Sequence, residues 1–66
     1  MLLKLNVWGA TDPTKNDGVS KVMITNESVG YLIHTSCGDN EFDYWVETEN
    51  EVADYISEFQ IVWPPS

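Results

Sequence analysis

Eight carboxylates crowd into residues 39 to 58, where Asp39, Glu41, Asp43, Glu47, Glu49, Glu51, Asp54 and Glu58 occur without one Lys or Arg among them. Upstream, Asp12, Asp17 and Glu27 are balanced by Lys4, Lys15 and Lys21, so the formal charge of -8 belongs wholly to the later stretch. Carboxylates at this density either hold a hard cation or present negative charge to a cationic partner. The cation reading fails on spacing. Asp39, Glu41 and Asp43 open like a calcium loop, but Tyr44 stands where the turn glycine belongs and Asn50 where the distal bidentate Glu belongs. Adventitious divalent binding is the most that spacing supports, and no metal is expected.

Nucleophilic chemistry has little to work with. His34 is the only histidine and Cys37, three residues on, the only cysteine. On a strand followed by a turn the two side chains point to opposite sides, whereas a Cys–His pair needs hydrogen-bond reach and an orienting third group. Zinc normally takes three or four such ligands. No enzyme activity and no cofactor are expected.

Charge presentation remains. Residues two apart on a strand are about 6.6 to 6.8 Å from one another, so Glu41, Asp43 and Glu47 would form a spaced row. A following helix would continue it through Glu51, Asp54 and Glu58 if its outer face lies beside the strand's outer edge. Such a row resembles the negative backbone of a nucleic acid. The bland alternative is a solvated face that serves solubility, with the helix acids merely complementing the dipole. Two points weigh against it: ordinary surfaces mix charge signs, and like charges at i,i+3 and i,i+4 reduce helix stability. Trp45 falls among Asp43 and Glu47 on the same face, the composition of a binding anchor. A bulge or a strand buried on both faces would hide it instead, and Trp8 beside Lys4 and Asn6 raises the same question.

The elements that would position these residues follow from periodicity. LLKLNVW at 2 to 8 alternates Leu3, Leu5 and Val7 with Lys4 and Asn6 as a first strand, and GATDPTKNDG at 9 to 18 reads as a loop. VSKVMIT at 19 to 25 is a second strand with Val22 and Ile24 on one side, and NESVG connects it to a third, YLIHT at 31 to 35. SCGDN at 36 to 40 separates the third from EFDYWVE at 41 to 47, whose apolar face is Phe42, Tyr44 and Val46. Thr48 and Glu51 fit a capping box, which predicts a helix from about 49 to 58 with Val52, Tyr55, Ile56 and Phe59 as its buried stripe. Residues 60 to 63 form a short edge strand, stopped by Pro64 and Pro65. The expectation is an α+β fold of order β-β-β-β-α-β: a small antiparallel sheet of four to five strands with one helix packed on one face.

At 66 residues the chain has room for a single domain with a barely sufficient core. Its 42% hydrophobic content, with three Trp, three Tyr and two Phe, separates it from disordered acidic chains. One cysteine allows no internal disulfide, which favours a reducing compartment. Lys4 and Asn6 interrupt the N-terminal apolar run before a signal-peptide core is complete, and no stretch of about 18 apolar residues would span a bilayer. A cytoplasmic protein is expected. With no Arg and a pI near 4.1, direct binding to nucleic acid or an anionic membrane is disfavoured by repulsion.

In general character alone the chain resembles the small acidic proteins that phages make against host nucleic-acid enzymes. That resemblance assigns no residue. It implies a non-enzymatic viral inhibitor acting in the host cytoplasm, a mimic of nucleic-acid charge that blocks the basic groove of a CRISPR, restriction or transcription component. Glu41, Asp43, Glu47, Glu51, Asp54 and Glu58 would supply charge and Trp45 an anchor. The alternative is a self-associating assembly protein, a homodimer in the simplest case, that uses Trp8, Trp45, Trp63 and the terminal strand while its acids only keep it soluble.

Overall fold

Val22 and Ile24, on one side of a β-branched run, and Ile33 on the next strand are completely buried, and the architecture is organised around them. The computed structural model describes residues 4–65. Four strands, β1 (Trp8–Ala10), β2 (Val19–Asn26), β3 (Tyr31–Cys37) and β4 (Asn40–Val46), form one open antiparallel sheet in the order β1-β2-β3-β4, followed by the helix α1 (Glu49–Ile56). The fold is α+β, as the periodicity implies.

Register sets the two faces. Gly9 pairs with Val22, Val22 with Thr35 and Thr35 with Phe42, while Ile24 pairs with Ile33 and Ile33 with Tyr44. Residues directly opposite one another share a face, so these line the side on which α1 packs. Val46, Val52 and Ile56 complete the core, with Tyr31, Tyr55, Phe59, Ile61 and Trp63 packed against it. The other face carries Trp8, Met23, His34 and Asp43 in one row and Thr25, Leu32 and Trp45 in the next.

Several boundaries depart from the periodic pattern. The strand expected over 2 to 8 lies instead at Trp8–Ala10, and its Leu3 falls outside the described residues. Asn6 adopts φ 63, a left-handed conformation that Asn tolerates and that ends any extended run, while its N–H donates to the Ile24 carbonyl at 2.8 Å. Gly9 belongs to β1 rather than to the loop because the chain's end crosses it. A Cβ there would collide with Ile61 and with the Trp63 ring at 2.6 Å. The loop that remains is held by Asp12, whose carboxylate accepts from the Thr14 hydroxyl at 2.7 Å and the Thr14 N–H at 3.0 Å. These bonds, the hydroxyl foremost, hold its carboxyl below the usual value.

The third strand runs on to Cys37, and the expected polar knot contracts to Gly38 and Asp39, with Gly38 at φ 64 as two-residue hairpins require. The terminal strand is reduced to one bridge, Ala10 with Val62, closed by reciprocal N–H to C=O bonds of 2.9 and 2.8 Å. The helix ends at Ile56 with Ser57 as its cap. Its start follows the sequence signal: Thr48 Oγ1 accepts from Glu51 N–H at 3.2 Å, and Glu51 Oε1 accepts from Thr48 N–H at 3.2 Å.

Thr48→Ala is expected to lower unfolding stability by about 0.5 to 2 kcal/mol through the lost cap, read as a fall in the urea midpoint at constant slope. Gly9→Ala, which forces Ile61 and Trp63 away from β1, should cost about 1 to 3 kcal/mol as an overpacking change. An unchanged midpoint in that variant would show that the terminal segment does not lie across β1 in solution.

Candidate functional site

Glu41, Phe42, Asp43, Tyr44 and Trp45 lie together on β4, the last strand of the sheet. Among the described residues no strand pairs with β4 on the side away from β3, and six of its seven residues are exposed. Asp39, Glu41, Asp43, Glu47, Glu49, Glu51, Asp54 and Glu58 are all exposed as well.

Their arrangement differs from one continuous row. Glu41 and Asp43 project from the outer face of β4, opposite Ser36 and His34 of β3. The helix packs on the other face, so its acids cannot extend that line. Glu51 and Asp54 instead border a shallow recess with Tyr44, Val46 and Tyr55. Glu47 lies in the connection before the Thr48 cap. Glu58 lines a different recess, with Asp12, Lys15, Asn16 and Gln60. The carboxylates therefore flank the β4 edge on both faces, Glu41 and Asp43 on one and Glu51 and Asp54 on the other.

Glu51 has a structural duty that the charge pattern does not reveal. Its carboxylate accepts from both the N–H and the hydroxyl of Thr48, each at 3.2 Å. Replacing it would disturb the helix start together with the surface charge. Asp54 carries no such bond through its side chain; only its backbone carbonyl accepts, from the Ser57 hydroxyl at 2.8 Å.

The expected apolar face of β4 is only partly covered. Val46 is buried, but Phe42 is 60% and Tyr44 54% exposed. Alternation assigns the face correctly, yet α1 spans only eight residues and leaves most of Phe42 and Tyr44 uncovered. Tyr44 is held by an offset stack on Tyr55, with ring centroids 5.1 Å apart and planes inclined by 20°. Tyr55 continues to Phe59 at 5.7 Å.

Trp45 is 48% exposed on the outer face, as strict alternation requires. It is also immobilised: its indole N–H donates to the Val29 carbonyl at 2.9 Å, and its ring lies over Gly30, where a Cβ would come within 2.7 Å of it. Gly30 stands at φ 83, so the β2–β3 turn and the indole specify each other. Trp8 is half-buried at the opposite edge with the Lys21 ammonium 4.7 Å from its ring centroid. Trp63 packs on the core over Gly9, which leaves Trp45 and not the terminal strand as the accessible tryptophan.

No protein-family model, no curated protein and no solved structure matches this chain. Function must therefore be argued from the site itself. His34 and Cys37 occupy opposite faces of β3, His34 Nε2 lying 3.0 Å from Thr25 Oγ1 and Cys37 Sγ 3.7 Å from the Asp17 carbonyl. Among the described residues no three His, Cys, Asp or Glu side chains are placed to share a metal ion, and no helix is long and apolar enough to cross a membrane. The arrangement at the β4 edge is suited to contact, with fixed charge, one fixed indole and two exposed rings.

Trp45→Phe keeps a ring in place but removes the donor to Val29. Stability should fall by about 0.5 to 1.5 kcal/mol, and amide exchange of Glu27, whose N–H bonds the Gly30 carbonyl at 3.0 Å, should accelerate. Unaltered exchange there would mean that the indole does not secure the turn.

Proposed function

We propose that this protein is a non-enzymatic inhibitor, of the kind phages encode, that presents carboxylates to the basic groove of a nucleic-acid-binding protein and competes with nucleic acid for it. The observation that carries the proposal is the unbroken exposure of all eight acids in a stretch without a cation. Charges on a folded sheet and helix are already ordered, so a cationic partner meets them without the entropic penalty of fixing a tail. Repulsion among them weakens the free protein and is relieved when Lys and Arg side chains arrive. Glu41 and Asp43 on the outer face and Glu51 and Asp54 on the helix side flank the contact at β4, and Trp45 supplies an apolar anchor fixed by its hydrogen bond. Glu47 extends the charged surface, whereas Glu58 lies beside Lys15 and contributes least.

Self-association through Trp8, Trp45, Trp63 and the terminal segment is less well supported, because Trp63 and Ile61 are already packed against this chain's own core and Trp45 alone of the three tryptophans is exposed.

The charge test uses Asp43→Lys with Asp54→Lys, leaving the capping residue Glu51 untouched. The double variant should keep its unfolding midpoint or gain about 0.2 to 0.5 kcal/mol, since the Asp54→Lys change sets a cation at i,i+3 from Glu51 on the helix. Immobilised wild type should retain from a cell lysate basic proteins that added DNA or RNA displaces, with retention falling steeply as salt rises. The double variant should retain none of them. Retention that is indifferent to ionic strength, or partners that hold nucleic acid and this protein together, would overturn the mimicry.

A further inference from the structure

Backbone hydrogen bonding along β4 can be traced from the opposite edge. Ala10 exchanges both its bonds with Val62, so its N–H and C=O point away from β2. Antiparallel pairs alternate between bonded and non-bonded, which makes Gly9 with Val22 the bonded pair and turns Val22 away from β3. The Asn6 N–H to Ile24 C=O bond agrees with this phase. One strand further, Thr35 must therefore bond Phe42, and Phe42 and Tyr44 direct their peptide groups inward to β3. Glu41, Asp43 and Trp45 direct theirs outward.

These three residues also carry the charged and aromatic side chains of the outer face. We infer that β4 accepts, as a fifth strand, an extended segment of a partner protein in which Lys or Arg alternates with apolar residues. The inference rests on the charge-presenting reading and specifies how the contact is made. Residues of an added antiparallel strand that face Glu41, Asp43 and Trp45 are two apart, so cations there meet two carboxylates and the face of an indole. The intervening residues fall on the helix side against Phe42 and Tyr44, which are 60% and 54% exposed although Tyr44 is stacked on Tyr55. Strand addition of this kind takes affinity from main-chain bonds and specificity from alternate side chains.

A second copy of this chain is a poor occupant. In the central antiparallel registers of β4 on β4, Glu41 meets Asp43, or Asp43 meets its own copy, or Glu41 meets Glu47. Like charges directly opposite destabilise a pair.

The test uses a capped peptide of alternating Val and Lys, matched to β4's seven residues, and the same peptide N-methylated at each Lys. Methylation retains every charge but removes the donors that would face β4. The parent peptide should bind at low salt and slow amide exchange at Glu41, Asp43 and Trp45. The methylated peptide should bind at least about tenfold more weakly, the loss expected from two or three ladder bonds. Equal affinities would overturn strand addition while leaving charge presentation standing, and no binding by the parent would overturn strand addition too. Charge presentation fails separately, if the wild type retains no protein that nucleic acid displaces. Sedimentation showing a dimer of the free protein, with those three amides already protected, would assign the edge to a second copy and reject the inference.

Discussion

One short helix has to cover a four-stranded sheet, and the rest of the structure follows from that shortage. The eight residues of α1 make a rod about 12 Å long, whereas seven-residue strands such as β3 and β4 run about 23 Å. Val52 and Ile56 therefore seal only the region above Ile24, Ile33 and Val46. The terminal segment covers β1, laying Ile61 and Trp63 so close to the backbone that only glycine fits at position 9. Tyr55 and Phe59 extend the cover toward Val19. Nothing is left for Phe42, and Tyr44 receives only the ring of Tyr55.

That uneven cover decides where charge can act. Acids about 6.6 to 6.8 Å apart along a strand lie within the screening length of about 8 Å at physiological salt, so Glu41 and Asp43 repel one another measurably. The helix acids repel in the same way, and Glu51 in addition bonds Thr48 and so stabilises the helix start. A fold with so small a core has little stability to spare for such repulsion. The acids are concentrated where the sheet is least covered, so a cationic partner would relieve repulsion and bury exposed rings together.

Legibility in the sequence tracks the range of the interaction. β2 is readable because Val22 and Ile24 alternate within one strand, and the helix start because a capping box spans four residues. The first strand misleads because Lys4 to Val7 alternate as a strand does, while Asn6 turns left-handed and Ala10, paired with Lys21, also bridges the distant Val62. Phe42 and Tyr44 show the limit most clearly. Alternation says which face a side chain joins, but not how far a helix on that face will reach. The Trp45 bond to Val29 has no local signal either, although a glycine at position 30, beneath the indole, is its trace in the sequence. The acidic surface is legible as composition, but its division between two faces depends on which side the helix packs.

An exposed strand edge is ordinarily a hazard, because unpaired peptide groups recruit any other edge. Natural sheets guard such edges with charge, and Lys is the usual choice. Here the guard is Glu41 and Asp43, reinforced across the edge by Glu51 and Asp54, and its sign makes the protection selective. Another copy of this chain or an acidic strand is repelled, since both bring carboxylates to carboxylates. On the proposed reading a cationic strand would not be repelled, and it would meet free N–H and C=O groups, a fixed indole, the exposed Phe42 ring and the Tyr44 ring that only Tyr55 covers. Specificity is a difference between affinities, and repulsion of wrong partners widens it as effectively as attraction of the right one. Carboxylates that disfavour pairing of the edge with a second copy would, on the proposed reading, also restrict what else is able to pair with it.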